Sequence, residues 1–274
     1  MKENNWFDPF YIQSHLSEEE SNIQKNVRDF CNNELKPKVV ESNRKNEFDQ
    51  DLYPKFGSLG VLGQTVKTHG GSGTSNLAYG LVAYEFEKID SSYRSSISVQ
   101  SSLVIHPINE FGSQEQKDKY LPQLIKGEKI GCFGLTESEA GSDPTSMKTS
   151  FKKTKDGYII NGSKNWITNA PIADIFIIWA IEENKDHKSI KGFIIEKNTE
   201  GLNTSTIENK TSLKISPTGQ IILNNVFVPN NLCLENTEGW KSVFSCLNKA
   251  RFGISWGVLG SASECWLIAK DYVE

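Results

Sequence analysis

The sequence predicts an α+β protein: a leading helical domain, a strand-rich middle domain folded as a barrel or sandwich, and the first long helix of a further helical part. Three observations lead there. Apolar residues recur at helical spacing through residues 1–127. Between 128 and 232 the pattern turns to short β-branched runs separated by turn signals. From about 238 the helical pattern returns, and no proline follows Pro229. Helix, sheet and helix in succession argue for separate domains over 1–127, 128–232 and 233–274 rather than a doubly wound sheet.

Along the first domain, Ser17-Glu18-Glu19-Glu20 reads as an N-cap with acidic residues in the first turn. Ile23, Val27 and Phe30 continue at helical spacing, and Pro37 interrupts them. Pro54 opens a short helix, since a first turn tolerates proline. His69-Gly70-Gly71-Ser72-Gly73 matches no phosphate-loop pattern and reads as a turn before a helix. That helix, 76–90, sets Ala78, Val82 and Phe86 on one stripe. Another is expected over 95–111, kinked at Pro107, and a third begins at Ser113 and is limited by Pro122.

Strands are expected at Ile130–Leu135, Tyr158–Ile160, Ile175–Ala180, Gly192–Glu196 and Gln220–Phe227. Asp156-Gly157 and Asn161-Gly162 suit turns that need positive φ. In the last part, Gly253, Gly257 and Gly260 form a smooth strip where another helix packs closely. Trp256, Val258, Leu259, Trp266, Leu267 and Ile268 predict an exposed apolar strip there.

Composition narrows the function classes. The net charge of −4 mixes both signs, without a basic stripe for nucleic acid. Five cysteines, odd in number and without a C-x-x-C pair, predict reduced thiols in a cytosol-like compartment. Four dispersed histidines predict no metal site. No apolar run has membrane-spanning length. Met1–Trp6 lacks a signal core, and Asn209-Lys210-Thr211 is therefore discounted as a glycosylation acceptor.

Four stretches could carry chemistry. In Phe133-Gly134-Leu135-Thr136-Glu137-Ser138-Glu139-Ala140-Gly141-Ser142-Asp143-Pro144, an apolar run passes into small and hydroxyl residues. Gly134 and Gly141 would let backbone approach a flat or charged ligand. The same residues also read as a strand running into a solvated turn. Asn161-Gly162-Ser163-Lys164-Asn165-Trp166-Ile167-Thr168-Asn169 offers an aromatic wall and a hydroxyl donor, or simply a core tryptophan. Glu87-Lys88-Ile89-Asp90-Ser91-Ser92-Tyr93-Arg94-Ser95 offers a guanidinium for a carboxylate, or a surface cation near a helix end. The fourth stretch is Phe244–Ile254, which includes Asn248 and Arg251.

In this order and spacing, these stretches resemble the acyl-CoA dehydrogenases, and among them the glutaryl-CoA dehydrogenases, over nearly the whole chain. The resemblance implies a middle β-barrel and an FAD cofactor. It places Phe133, Leu135, Thr136, Gly141, Ser142, Trp166, Ile167 and Thr168 at the flavin, with Ser142 also beside the thioester ligand. It implies that Arg94 and Ser95 hold the distal carboxylate of glutaryl-CoA, with Glu87 nearby. Phe244, Asn248 and Arg251 would line the acyl and pantetheine channel. The implied reaction is α-proton removal with hydride transfer to flavin, then loss of the distal carboxylate as CO2 to give crotonyl-CoA. The implied partners are an electron-transfer flavoprotein and three further copies in a homotetramer, in the cytoplasm or, in a eukaryote, the mitochondrial matrix.

The chain also departs from the family. The usual glutamate base lies in a C-terminal helical domain that is almost wholly absent from these 274 residues. The alternative position for that base, just before Arg251, holds Ala250. No catalytic residue is therefore assigned, and the chain alone is expected to be nearly inactive. Lys249 replaces an asparagine typical of the nearest relatives, and Ser138 replaces a common proline. The rival readings are a non-catalytic acyl-CoA-binding module and an acyl-CoA dehydrogenase of another chain specificity.

Overall fold

The structure is a computed structural model that describes residues 8, 11–185 and 189–274. The reading of Met1–Trp6 falls outside the described residues. Helix α1 (Glu18–Phe30) starts at Ser17 with a reciprocal cap. The Ser17 hydroxyl accepts from the Glu20 amide at 3.2 Å, and the Glu20 carboxylate accepts from the Ser17 amide at 3.1 Å. After a π-helical turn over Cys31–Leu35 come α2 (Val39–Lys45), α3 (Leu52–Ser58) and α4 (Asn76–Glu87).

The helix expected at 95–111 differs in detail. It begins earlier, as α5 (Ser91–Ser98), because Asp90 caps it by accepting from the Ser92 amide at 2.7 Å. It widens into a π-helix over Val99–Ile105 and continues as α6 (His106–Phe111), so Pro107 sits in a first turn rather than mid-helix. Helix α7 (Gln114–Ile125) runs past Pro122, because Leu121, Leu124 and Ile125 are buried on either side of it and hold the turn in place.

The middle domain contains β1 (Gly131–Gly134), β2 (Ser150–Lys153), β3 (Gly157–Thr168), β4 (Ile175–Glu182), β5 (Ile190–Glu196), β6 (Leu202–Thr206) and β7 (Thr218–Pro229). Strands β2 and β6 were not foreseen: one is short and the other largely polar and exposed. Asn161-Gly162 is not a turn but lies inside β3, at a bulge against β7, with Gly162 at φ 144°. The turn before it does occur near Asp156, without positive φ at Gly157.

Strand β4 is central. Antiparallel β5 flanks one side, and β1 and β2 lie end to end along the other, both parallel to it. Strand β3 then joins β2 to β7, and β6 is the far edge. Along β4, Ile175, Ile177, Trp179 and Ile181 pack in the core shared with the helices. Phe176, Ile178 and Ala180 enter a second core made by the sheet itself, with Phe151, Tyr158, Phe193 and Val228. A strand buried on both faces reads as a continuous apolar run, which is how β4 is legible in the sequence. Gln100, fully buried, fastens the helices to the sheet: it accepts from the Gly131 amide at 2.8 Å and donates to the carbonyls of Leu124 and Lys129.

Helix α8 (Trp240–Val273) lies across α4 and α5 through its glycine strip. A Cβ at Gly257 would lie 2.8 Å from Glu87 Oε2, and one at Gly260 would overlap the Tyr84 carbonyl oxygen. Conversely, Trp256 sits against Gly80, where a Cβ would lie 2.6 Å from the indole. Trp256 is thus packed, whereas Val258, Leu259, Trp266 and Ile268 are exposed as expected.

Candidate functional site

Where the helices meet the sheet there is a small cleft of about 160 Å³. Val99 and Leu103 of the π-helix, Leu247 of α8, and Phe133 and Leu135 give it apolar walls. Thr136, Trp166, Ile167 and Thr168 complete it. Two separate sequence stretches meet here because β1 and β3 converge past the end of β1: the Asn165 amide donates to the Thr136 carbonyl at 2.9 Å.

Trp166 is unusual. It occupies a bulge between the paired positions Lys164 and Ile167, at φ 60° and with 58% of its surface exposed. A left-handed backbone is costly for a bulky residue, and such outliers concentrate at binding sites. The core-tryptophan reading therefore does not hold: the ring faces out beside the cleft. Among the described residues no acceptor meets the Thr136 amide. Apolar walls, two threonine hydroxyls, a free amide and an exposed indole suit a flat aromatic ring with a polar edge, such as an isoalloxazine.

The acidic and basic residues of the third stretch form a buried pair. Arg94 Nε donates to Glu87 Oε2, with side-chain exposures of 11% and 4%. Ser91 donates to the other Glu87 oxygen at 2.5 Å. The surface-cation reading of Arg94 is thus excluded. Arg94 and Ser95 do not line the cleft; they sit further along the helix that supplies Val99 and Leu103, with Arg94 under Gly257. Ser95 is half-buried.

The remaining candidates are dispersed. Gly141 and Ser142 lie in an exposed turn ahead of the short helical turn at Pro144–Ser146. Nothing lies within 4 Å of a Cβ at Gly141, while one at Gly134 would lie 2.5 Å from Ile178 Cδ1. Gly134 thus packs against the end of the Ile178 side chain inside the sheet. On α8, Arg251 donates to Asn248 at 2.9 Å on an exposed face, and Phe244 is half-buried. Lys249 turns inward and donates to Thr65 at 2.6 Å. Ala250 is buried, and Glu264 is held by Lys36 and Lys88, away from the cleft. No group of residues suited to a metal occurs among the described residues.

Sequence reasoning passed over one pair inside its own motifs. Lys164, wholly buried, donates to Glu137 Oε1 at 2.8 Å and to the Leu135 carbonyl at 3.0 Å. Burial pushes the Lys164 ammonium down to about 8, against the pull of Glu137. Burial acts to raise the Glu137 carboxyl, but Lys164 and the amide donors at Thr149 and Lys148 outweigh it and hold it below the usual value. Only the inward position of residue 164 on β3 could have signalled this, and the bulges of that strand break the alternation that would show it.

A helical domain docked on a curled sheet, with an aromatic and hydroxyl-lined cleft at the junction, describes a protein that binds a large planar ligand. The chain belongs to the acyl-CoA dehydrogenase family. Residues 17–128 match the acyl-CoA dehydrogenase N-terminal domain, and residues 132–226 match the middle domain. A short-chain specific acyl-CoA dehydrogenase of Clostridium acetobutylicum is 35% identical over 263 residues, covering 95% of this chain and 69% of its own. A glutaryl-CoA dehydrogenase structure from Mycobacterium smegmatis superposes with a TM-score of 0.93 at 39% identity, covering 97% of this chain and 68% of that one. A glutaryl-CoA dehydrogenase structure from the same organism, in complex with FADH2, gives 0.90 at 40% identity, covering 93% and 65%. The chain thus spans about two thirds of the length of these relatives.

Proposed function

We propose that this chain is the FAD- and substrate-binding part of an acyl-CoA dehydrogenase acting on glutaryl-CoA and yielding crotonyl-CoA after decarboxylation. Bound FAD supplies the two-electron acceptor. Phe133, Leu135, Trp166 and Ile167 provide walls for its ring, and Thr136 and Thr168 provide donors to its polar edge. Gly141 and Ser142 run along the phosphate and thioester side. Phe244, Asn248 and Arg251 line the acyl and pantetheine channel.

The observation that carries the glutaryl reading is the buried Glu87–Arg94 pair on the helix leading into the cleft. A guanidinium held out of water is poised to accept a carboxylate with little competition from solvent. Ser95, one residue on, would add a hydroxyl donor. An acyl chain without a distal carboxylate has no use for either group.

The 274-residue chain alone is expected to bind without appreciable turnover, since the alternative position for the base holds Ala250 and Glu264 is engaged elsewhere. Crotonyl-CoA formed by the purified chain would refute this. The proposed electron acceptor of the full-length protein is an electron-transfer flavoprotein, and its proposed assembly a homotetramer. The buried thiols suit a reducing compartment, cytoplasm or mitochondrial matrix.

The test is calorimetry on the FAD-saturated chain with glutaryl-CoA and butyryl-CoA. Glutaryl-CoA should bind at least about tenfold tighter, one charge-assisted hydrogen bond being worth roughly 1.5–3 kcal/mol. Equal affinities would remove the glutaryl assignment and leave the second reading, a short-chain specificity. That reading is favoured by the charge of Arg94 being already balanced by Glu87, and by the Clostridium relative.

A further inference from the structure

We propose that Lys164, together with Glu137, is a positioning residue that fixes the Leu135–Thr136 peptide so that its N–H enters the cleft as a donor to bound flavin. This rests on the flavin reading above but concerns two residues that no motif assigned.

In a trans peptide the C=O and N–H point in opposite directions. The Leu135 carbonyl points inward and accepts from Lys164 Nζ at 3.0 Å. The N–H of the same peptide, belonging to Thr136, therefore points away from Lys164. Leu135 and Thr136 both line the cleft, and no acceptor among the described residues meets that amide.

The following segment is fixed as well. The Thr136 carbonyl accepts from the Asn165 amide at 2.9 Å. The Glu137 carboxylate accepts from the amides of Lys148 at 2.7 Å and Thr149 at 2.9 Å. Lys164 joins both halves by reaching Glu137 at 2.8 Å.

Stability alone does not call for this arrangement. Buried ion pairs are often replaced by apolar residues without loss, because desolvation offsets the attraction between the charges. A cation behind a peptide carbonyl, shielded from water, does something an apolar pair cannot. It strengthens the dipole of that peptide and so the donor on its other edge. The result favours a ligand that gains negative charge on reduction.

The test uses the 274-residue chain titrated with FAD, followed by flavin fluorescence and dye-equilibrated potentiometry. Lys164→Met should bind FAD about tenfold more weakly, the loss of one strengthened hydrogen bond. The potential of the bound flavin should fall by about 30 mV, which is tenfold for a two-electron couple. If Lys164→Met leaves Glu137 stranded and does not fold, Glu137→Met/Lys164→Met removes both charges and should show the same weakened binding. Gly260→Ala, destabilised at a distance, should leave the potential where it is and so separates a positioning role from a purely structural one. Folded variants with wild-type FAD affinity and potential would overturn the inference while leaving the flavin reading intact. A wild-type chain that takes up no FAD would overturn both.

Discussion

Arg94, in the first turns of α5, donates through Nε to the carboxylate of Glu87 at the end of α4, and Gly257 of α8 closes over the two. Three helices thus converge on one ion pair. Arg94→Met should cost about 3–5 kcal/mol in urea unfolding, because Glu87 is left buried without its countercharge. Arg94→Lys keeps the charge but loses the planar fork. It should retain more of the stability while losing preference for glutaryl-CoA over butyryl-CoA. Identical preference in wild type and Arg94→Lys would argue against a carboxylate-binding role.

The close seating of α8 on α4 makes a second prediction. Gly260→Ala brings a methyl group onto the Tyr84 carbonyl, and backbone cannot move aside as a side chain would. A loss of about 1–3 kcal/mol in chemical denaturation is expected despite the better helix propensity of alanine. Gly141→Ala, with open space around it, should be neutral within about 0.5 kcal/mol.

Trp166 should separate binding from folding. Its ring is more than half exposed, so Trp166→Ala should change stability by no more than about 0.5 kcal/mol. If the indole packs on flavin, the same variant should bind FAD up to about tenfold more weakly, and FAD should quench less of the protein fluorescence. Undiminished affinity would remove Trp166 from the cofactor site.

His106 should make the protein acid-sensitive. Its Nε2 lies 3.0 Å from the Ser245 hydroxyl, and burial, then the charge of Lys249, pushes its pKa from 6.5 to about 4. The unfolded chain therefore binds a proton between pH 6.5 and 4 that the folded chain refuses. The stability contributed by neutral His106 is full above pH 6.5 and is lost as pH falls through that window. Urea midpoints at pH 7 and 4.5 should differ less for His106→Gln than for wild type.

Local signals were readable without coordinates. The Ser17 cap, the glycine spacing of α8 and the apolar run of β4 are each patterns among residues a few positions apart, and periodicity records those directly. The order of helices, strands and helix followed from the same patterns. Proline was overread. Pro122 sits inside a continuing helix because burial of its neighbours outweighs a lost hydrogen bond, and Pro107 falls in a first turn, where proline costs little.

The sequence by itself determined the domain order, the family resemblance and the residue types available for a flavin and an acyl-CoA. Only tertiary structure decided that Arg94 is buried on Glu87, that Trp166 faces outward from a bulge, and that Lys164 reaches under Leu135. Each of these depends on how two elements approach one another in space. Burial and charge pairing are properties of that approach, and spacing along a chain does not encode them.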